Sequence, residues 1–457
     1  MSLCCFECRA SFTRSPLGRR SLSRCTTFAL FATALALSAC SDEGGGPGAD
    51  GADGEALLAA AAACGAESHE PCDVLAPECQ SRLAEIAACQ WGGAGTTPVL
   101  PPIDVVTRAM LRDRLATAVA ADTTPAPVSL AVTAVLEMLG LLPASFDSGD
   151  AVDVAANLLL AQYDPATDRI ILIEDARTGD PIVDNEVLFH ELIHAQQAAR
   201  YDLQALLAST TTLDSLIGIR ALFEGEAQFH QLILDFGMFD APIQADALRQ
   251  GLDTFRDAQS DALFAEPQGA WNRSLLLAPY IYGPYSILDT WLSGGPAAMA
   301  QRYASPPGDS LDMLEGALAP GAVSGLVDAF PTNNIFARAG AALPVAGDEA
   351  YPLGIDRLGA WTTYVLARLA GSSISDADAE ALALGWRGDQ LDIFQLDAGG
   401  YAGRYRVRFD TDAHASQFEA LMQQNPNADV RTSNAFVAVT IMAEGETPEW
   451  LFGPLAR

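Results

Sequence analysis

Two histidines one helical turn apart, in His190-Glu191-Leu192-Ile193-His194, constrain the fold of this chain more than any other feature. At about 3.6 residues per turn, positions i and i+4 differ by about 40° around a helix, so both imidazoles can reach one metal ion. Glu191 then stands about 100° round, beside the open coordination position. The flanking residues support a helix: Asp184-Asn185-Glu186 supplies a capping residue and early negative charge, and Val187-Leu188-Phe189 begins an apolar stripe. Val187, Ile193 and Ala198 fall near the faces the ligands leave free, so one side of the helix packs while the other binds metal. Ahead of it, residues 163–168 carry turn chemistry and residues 169–174 a β-branched run that predicts a strand. As an edge strand beside the metal helix, that segment would pair with an extended peptide.

Two imidazoles leave a zinc ion incomplete, because catalytic sites usually hold three protein ligands and a water. A second helical pattern over residues 213–236 contains Ala221-Leu222-Phe223-Glu224-Gly225-Glu226-Ala227. A short connection makes the two helices antiparallel neighbours, which returns Glu224 or Glu226 to the metal. With this segment in place the chain resembles the gluzincin metallopeptidases, in which a His-Glu-x-x-His helix is followed by a helix bearing a Glu-Gly-x-Ala-like segment whose first Glu is the ligand. The resemblance implies a predominantly helical, zincin-like catalytic domain, with Zn²⁺ held by His190, His194 and Glu224. Tyr163-Asp164-Pro165, Pro279-Tyr280-Ile281-Tyr282-Gly283, Ser293-Gly294-Gly295-Pro296 and Gly385-Trp386-Arg387-Gly388-Asp389 follow the order of exported bacterial proteins of this zincin type. One departure is Gln228, which stands where gluzincins often carry an acidic residue four positions after the third ligand.

Such a set implies hydrolysis: zinc lowers the pKa of its water towards about 7, and Glu191 takes the proton as that water attacks a peptide carbonyl. The developing oxyanion needs a further donor, for which Tyr280, Tyr282, Tyr285 and His230 are the candidates. A binding protein that keeps this architecture without turnover, and a zinc amidase acting on cell-wall peptides, are the alternatives.

The first forty residues carry five arginines and then an apolar run too short to span a bilayer, ending in Leu37-Ser38-Ala39-Cys40. This looks like a lipoprotein signal over residues 1–39, with Cys40 lipidated and a Gly/Asp-rich tether over residues 40–56. Of nine cysteines, Cys64, Cys72, Cys79 and Cys89 would remain unmodified, an even number that suggests two disulfides in a module over residues 57–97, their pairing open. His69 reads there as a surface residue. Export, with a lipid anchor in the cell envelope, is the expected location.

The formal net charge of −32, and the absence of any lysine, exclude a nucleic-acid partner, a phosphate loop of the lysine type and Schiff-base chemistry. Peptide or protein substrate and membrane lipid are the expected partners. The fold class expected is α+β: a helical domain over residues 98–345, with helices at 105–121 and 130–142, then a small mixed unit over residues 346–457. In that unit residues 391–396, 405–409 and 436–441 alternate as strands and residues 412–424 are helical. His414 reads as structural, and the Arg387-Gly388-Asp389 tripeptide as a coincidence in a turn.

Overall fold

A computed structural model describes residues 51–64, 70–120, 126–143, 146, 148–238, 243–266, 269–320, 350–370, 374–396 and 399–442. The leader over residues 1–39, Cys40 and His69 lie outside them. The tether was expected to run to residue 56, yet helix α1 (Gly51–Ala63) already begins within it. Leu58 and Ala61 are buried in the main core, and Gly54 brings α1 so close to the Leu292 backbone that an added Cβ would lie 2.5 Å from the Leu292 carbonyl oxygen. Packing decides here over glycine content. Helix α2 (Pro77–Gly92) follows; Cys64–Cys89 ties it to α1, and Cys72–Cys79 closes the loop at its start. Two disulfides fit an oxidising environment.

Strand β1 (Ile103–Val106), helices α3 (Arg108–Ala120), α4 (Ala126–Met138) and α5 (Ser148–Leu158), then strands β2 (Ala161–Asp164) and β3 (Arg169–Ile173) form the next segment. The expected helix from residue 105 is corrected at its start. Val105 and Val106 extend a β-branched run that pairs parallel with β3, and Arg169 joins Asp104 across the pair at 2.8 Å. The sheet order is β1-β3-β2, so β3 is the central strand and the edge role expected for it falls away. Its near-continuous apolar sequence is what a strand flanked on both sides can bury.

Helix α6 (Pro181–Arg200) carries the histidine pair and is followed by α7 (Leu203–Ser209) and α8 (Leu213–Met238). The cap of α6 is Asp180, which accepts from the Ile182 amide at 3.0 Å; Asp184 lies inside the first turn. Pro181 at the first helical position, with its φ preset, moves the start forward from the expected site. Helices α9 (Ala245–Phe264), α10 (Ala270–Ala304) and α11 (Leu311–Leu318) complete the helical layer, α10 being broken at Gly294-Gly295.

The C-terminal part comprises β4 (Ala350–Asp356), α12 (Gly359–Leu369), α13 (Asp376–Leu384), β5 (Trp386–Leu396), β6 (Tyr401–Phe409), α14 (Asp412–Met422), β7 (Ala428–Ser433) and β8 (Phe436–Met442). The strands form an antiparallel sheet of order β4-β5-β6-β8-β7. Asp389, in the tripeptide, is buried and accepts from the amides of Leu358 and Gly359 and from the Trp386 indole. That carboxylate caps α12 and is not offered to a partner. His414 in the first turn of α14 meets Asp410, just ahead of that helix, at 2.6 Å, a local pairing. The mixed α+β class is therefore observed. One apolar core runs through Leu58, Phe223, Tyr282, Trp361 and Tyr405, so residues on both sides of position 345 share it. A second core joins Leu83, Ile86 and Trp91 of α2 to Phe189 and Leu192 of α6 and Ile170 of β3, across position 97. Among the described residues no helix is long and apolar enough to cross a membrane.

Candidate metal centre

Contacts between α6 and α8 run in opposite order along the two helices. His190 meets Gln231 and Glu224, whereas Gln197 meets Phe223 and Glu226. The helices are thus antiparallel neighbours, and residues 190, 194 and 197 form the stripe of α6 that faces α8, one turn after another. Its other faces bury Leu188, Leu192 and Ile193.

His190, His194 and Glu224 converge. Nε2 of His194 lies 3.1 Å from Nε2 of His190 and 3.0 Å from Oε2 of Glu224, and the remaining side of the triangle is 3.4 Å. A tetrahedral zinc with bonds of about 2.0–2.1 Å separates its ligand atoms by roughly 3.3 Å, so the triangle has the size of one tetrahedral face. The protonation pattern fits as well. Nδ1 of His194 donates to Oε1 of Gln197 at 2.8 Å and Nδ1 of His190 to Oε1 of Gln231 at 3.3 Å. With Nδ1 the donor on each ring, both Nε2 atoms face one carboxylate oxygen, a set of three donor atoms that suits a cation once it displaces the proton of His194. His190 and Glu224 are fully buried and His194 nearly so. These three are the one group of this kind among the described residues.

Electrostatics separates the two glutamates. Burial opposes the Glu224 charge, but His194, His190 and Arg220 outweigh it and hold the carboxyl below the usual range. Burial likewise opposes charge on His194, yet the Glu224 carboxylate raises it to about 9; burial lowers His190. Arg220 is itself placed by a proline. Pro279 cannot donate to the Leu275 carbonyl one turn back, and Arg220 Nη1 fills that gap at 2.9 Å while its Nη2 stands 3.8 Å from Glu224 Oε1. Glu226 instead takes three donors, Trp91 Nε1 at 3.0 Å, Tyr303 hydroxyl at 2.7 Å and Gln197 Nε2 at 2.8 Å, and burial pushes it up to about 7. Those contacts engage both of its oxygens, so Glu224 is the carboxylate that stands with the two histidines.

Between the two glutamates lies Gly225. An added Cβ there would sit 2.6 Å from the Gly283 carbonyl carbon and 2.9 Å from its Cα, so α8 and α10 touch backbone to backbone at this point. The sequence Glu-Gly-Glu thus combines a carboxylate that could hold a metal, a close helix crossing and a buried acceptor.

Glu191 is buried beside the pair, and its Oε2 accepts from the Tyr163 amide of β2 at 2.6 Å. Among the candidate oxyanion donors, Tyr280 stacks on the His190 ring with centroids 5.5 Å apart. Tyr282 and Tyr285 point elsewhere on α10: the first reaches Ser260 and Tyr364, the second Asp253. Two residues along a helix are about 200° apart, which explains the divergence of Tyr280 and Tyr282. His230 lies edge-on to Trp291 at 5.0 Å, and neither ring nitrogen has a hydrogen-bond partner among the described residues. Burial lowers its pKa to about 3, so the ring is neutral.

Gln197, Gln231, Arg220, Trp91 and Tyr303 were not singled out from the sequence. Helix spacing carries a signal for the first three: Gln197 lies three residues after His194, Gln231 seven after Glu224 and Arg220 four before it. Trp91 and Tyr303 come from distant segments. No protein-family model, curated protein or solved structure matches the chain, so the site rests on its own geometry.

Proposed function

We propose that the chain is a zinc-dependent hydrolase of peptide bonds, exported and anchored in the cell envelope by lipid on Cys40. The observation that supports it is the convergence of His190, His194 and Glu224 on one point, with Glu191 alongside. Bound there, zinc would supply a water acidified towards about 7 and would polarise a carbonyl. Glu191 has the position to take that water's proton and return it to the leaving amine. Tyr163 aims this carboxylate by its backbone amide, and β2, which carries Tyr163, is an edge strand. Tyr280, against His190, is the candidate best placed among the tyrosines to donate to the oxyanion.

A binding protein without turnover is the second reading, favoured by the burial of all four polar side chains. Zinc content and cleavage of a quenched peptide library separate the two. A hydrolase retains one zinc per chain in Glu191→Gln and loses turnover. Zinc retained by a wild type that cleaves nothing selects the binding protein. A wild type that binds no zinc refutes both. Cys40→Ser releases the protein from membranes if the anchor is lipid.

A further inference from the structure

We infer that Glu226 is a positioning residue for the metal site: acting through Gln197 it fixes which nitrogen of His194 carries the proton, and Trp91 of the disulfide-bonded module braces it for that task. The inference rests on the metal reading above and concerns residues that touch neither metal nor substrate.

A glutamine side chain has two ends of similar shape, and its neighbours decide which way round it sits. Nε2 of Gln197 faces two pure acceptors, the Phe223 carbonyl at 2.9 Å and Glu226 Oε2 at 2.8 Å. Reversing the amide would set oxygen against both. Its Oε1 therefore faces Nδ1 of His194 at 2.8 Å, and that nitrogen must be the donor. Nε2 is then the nitrogen turned towards His190 and Glu224, the one at which a metal would take the place of a proton. A His194 with the opposite tautomer would present a proton to the metal position.

Glu226 holds this arrangement because its own orientation is overdetermined. Oε1 accepts from the Trp91 indole at 3.0 Å, and Oε2 from both the Tyr303 hydroxyl at 2.7 Å and Gln197. All three partners donate here, and the ionised carboxylate, without hydrogens of its own, meets all of them; a carboxamide at this position has one acceptor atom and one donor atom. Trp91 lies two residues beyond Cys89, whose disulfide ties α2 to α1. The Trp91 ring is wedged by edge contact with Tyr201, which stacks on Tyr303 at 3.9 Å. The chain Trp91, Glu226, Gln197, His194 thus links the cysteine module to a metal ligand by hydrogen bonds alone.

The test uses the full-length protein, zinc affinity by competition with a chromophoric chelator, and the visible spectrum of the cobalt-loaded form as a second readout. Glu226→Gln, Trp91→Phe and Gln197→Leu should each weaken zinc binding by about 10- to 100-fold. The double variant Glu226→Gln/Gln197→Leu should bind no more weakly than Gln197→Leu alone, because Glu226 acts through Gln197. The cobalt spectrum should shift in Glu226→Gln. Should Glu226→Gln fail to fold, Trp91→Phe, which deletes one donor and keeps the aromatic contact, answers the same question. Wild-type affinity and spectrum in a Glu226→Gln or Trp91→Phe protein of reduced stability would assign these residues a purely structural role and overturn the inference. Fully additive losses in the double variant would overturn the relay through Gln197. A wild type that binds no zinc overturns the metal reading itself, and the inference with it.

Discussion

Replacing Gly225 with alanine tests whether the close crossing of α8 and α10 sets the metal geometry. The new Cβ would lie 2.6 Å from the Gly283 carbonyl carbon and 2.9 Å from both its Cα and its oxygen. Those are backbone atoms with no rotamer to yield, and ordinary contact needs about 3.4–4 Å, so the helices must part locally by roughly 1 Å. Overpacking of this kind costs about 1–3 kcal/mol, offset by about 1 kcal/mol from replacing a helical glycine. A modest net loss in unfolding free energy of about 0–2 kcal/mol follows. The effect on the ligand is the sharper one. Glu224 is the adjacent residue, and metal bonds tolerate only about 0.2 Å of error, so the shift moves its carboxylate out of range. Zinc affinity in Gly225→Ala should fall at least about tenfold, measured by chelator competition, with urea unfolding of the metal-free form as the stability control. Gly283→Ala, whose Cβ would meet the Ala221 carbonyl oxygen at 2.5 Å, should act in the same direction. The double variant should lose less than the sum, since one separation relieves both clashes. Wild-type zinc affinity in Gly225→Ala would refute the coupling between helix spacing and ligand position.

Asp356 should make stability fall with rising pH. Burial raises its pKa from 3.8 to about 7, against the amides of Leu213 and Arg357, so between these values the folded chain binds more protons than the unfolded one. Stability from this residue is greatest below about pH 4, declines towards 7 and then levels. Asp356→Asn keeps an oxygen for both amides and should flatten that decline by up to about one proton in urea unfolding at pH 4 to 8; an unchanged slope would contradict it. Cys64→Ser/Cys89→Ser removes a bridge across a sequence separation of 25 and should cost about 3 kcal/mol in the same assay. Gly359→Ala should be far more damaging than a typical surface change, because its φ is +89° and the new Cβ would fall 1.8 Å from Asp214 Oδ1. A soluble Gly359→Ala protein with wild-type unfolding would show that the buried acid can move aside.

The histidine pair was legible in the sequence because helix periodicity relates residues 190 and 194, and antiparallel helices bring either Glu224 or Glu226 beside them; the choice of Glu224 came from the resemblance to gluzincins. What escaped was set by distant chain segments. The indole of Trp91 reaches Glu226 across 135 positions and the hydroxyl of Tyr303 across 77, and no local pattern marks either. The parallel pairing of Val105 with Leu172 overrode a helical reading for the same reason. Short polar residues were misread by a turn: Asp184 looked like the cap of α6, but Asp180 before Pro181 performs that role. Disulfide connectivity, open among three possibilities for four cysteines, needed coordinates to resolve.

His190, Glu191 and Glu224 are fully buried and His194 is 2 % exposed. An ion seated among them can leave only when the surrounding helices transiently open. Removal by a chelator would then proceed at a rate that stops depending on chelator concentration once every opening is captured. That limiting rate is a clock for the breathing of α6 against α8, and amide hydrogen exchange along α6 would run on the same clock.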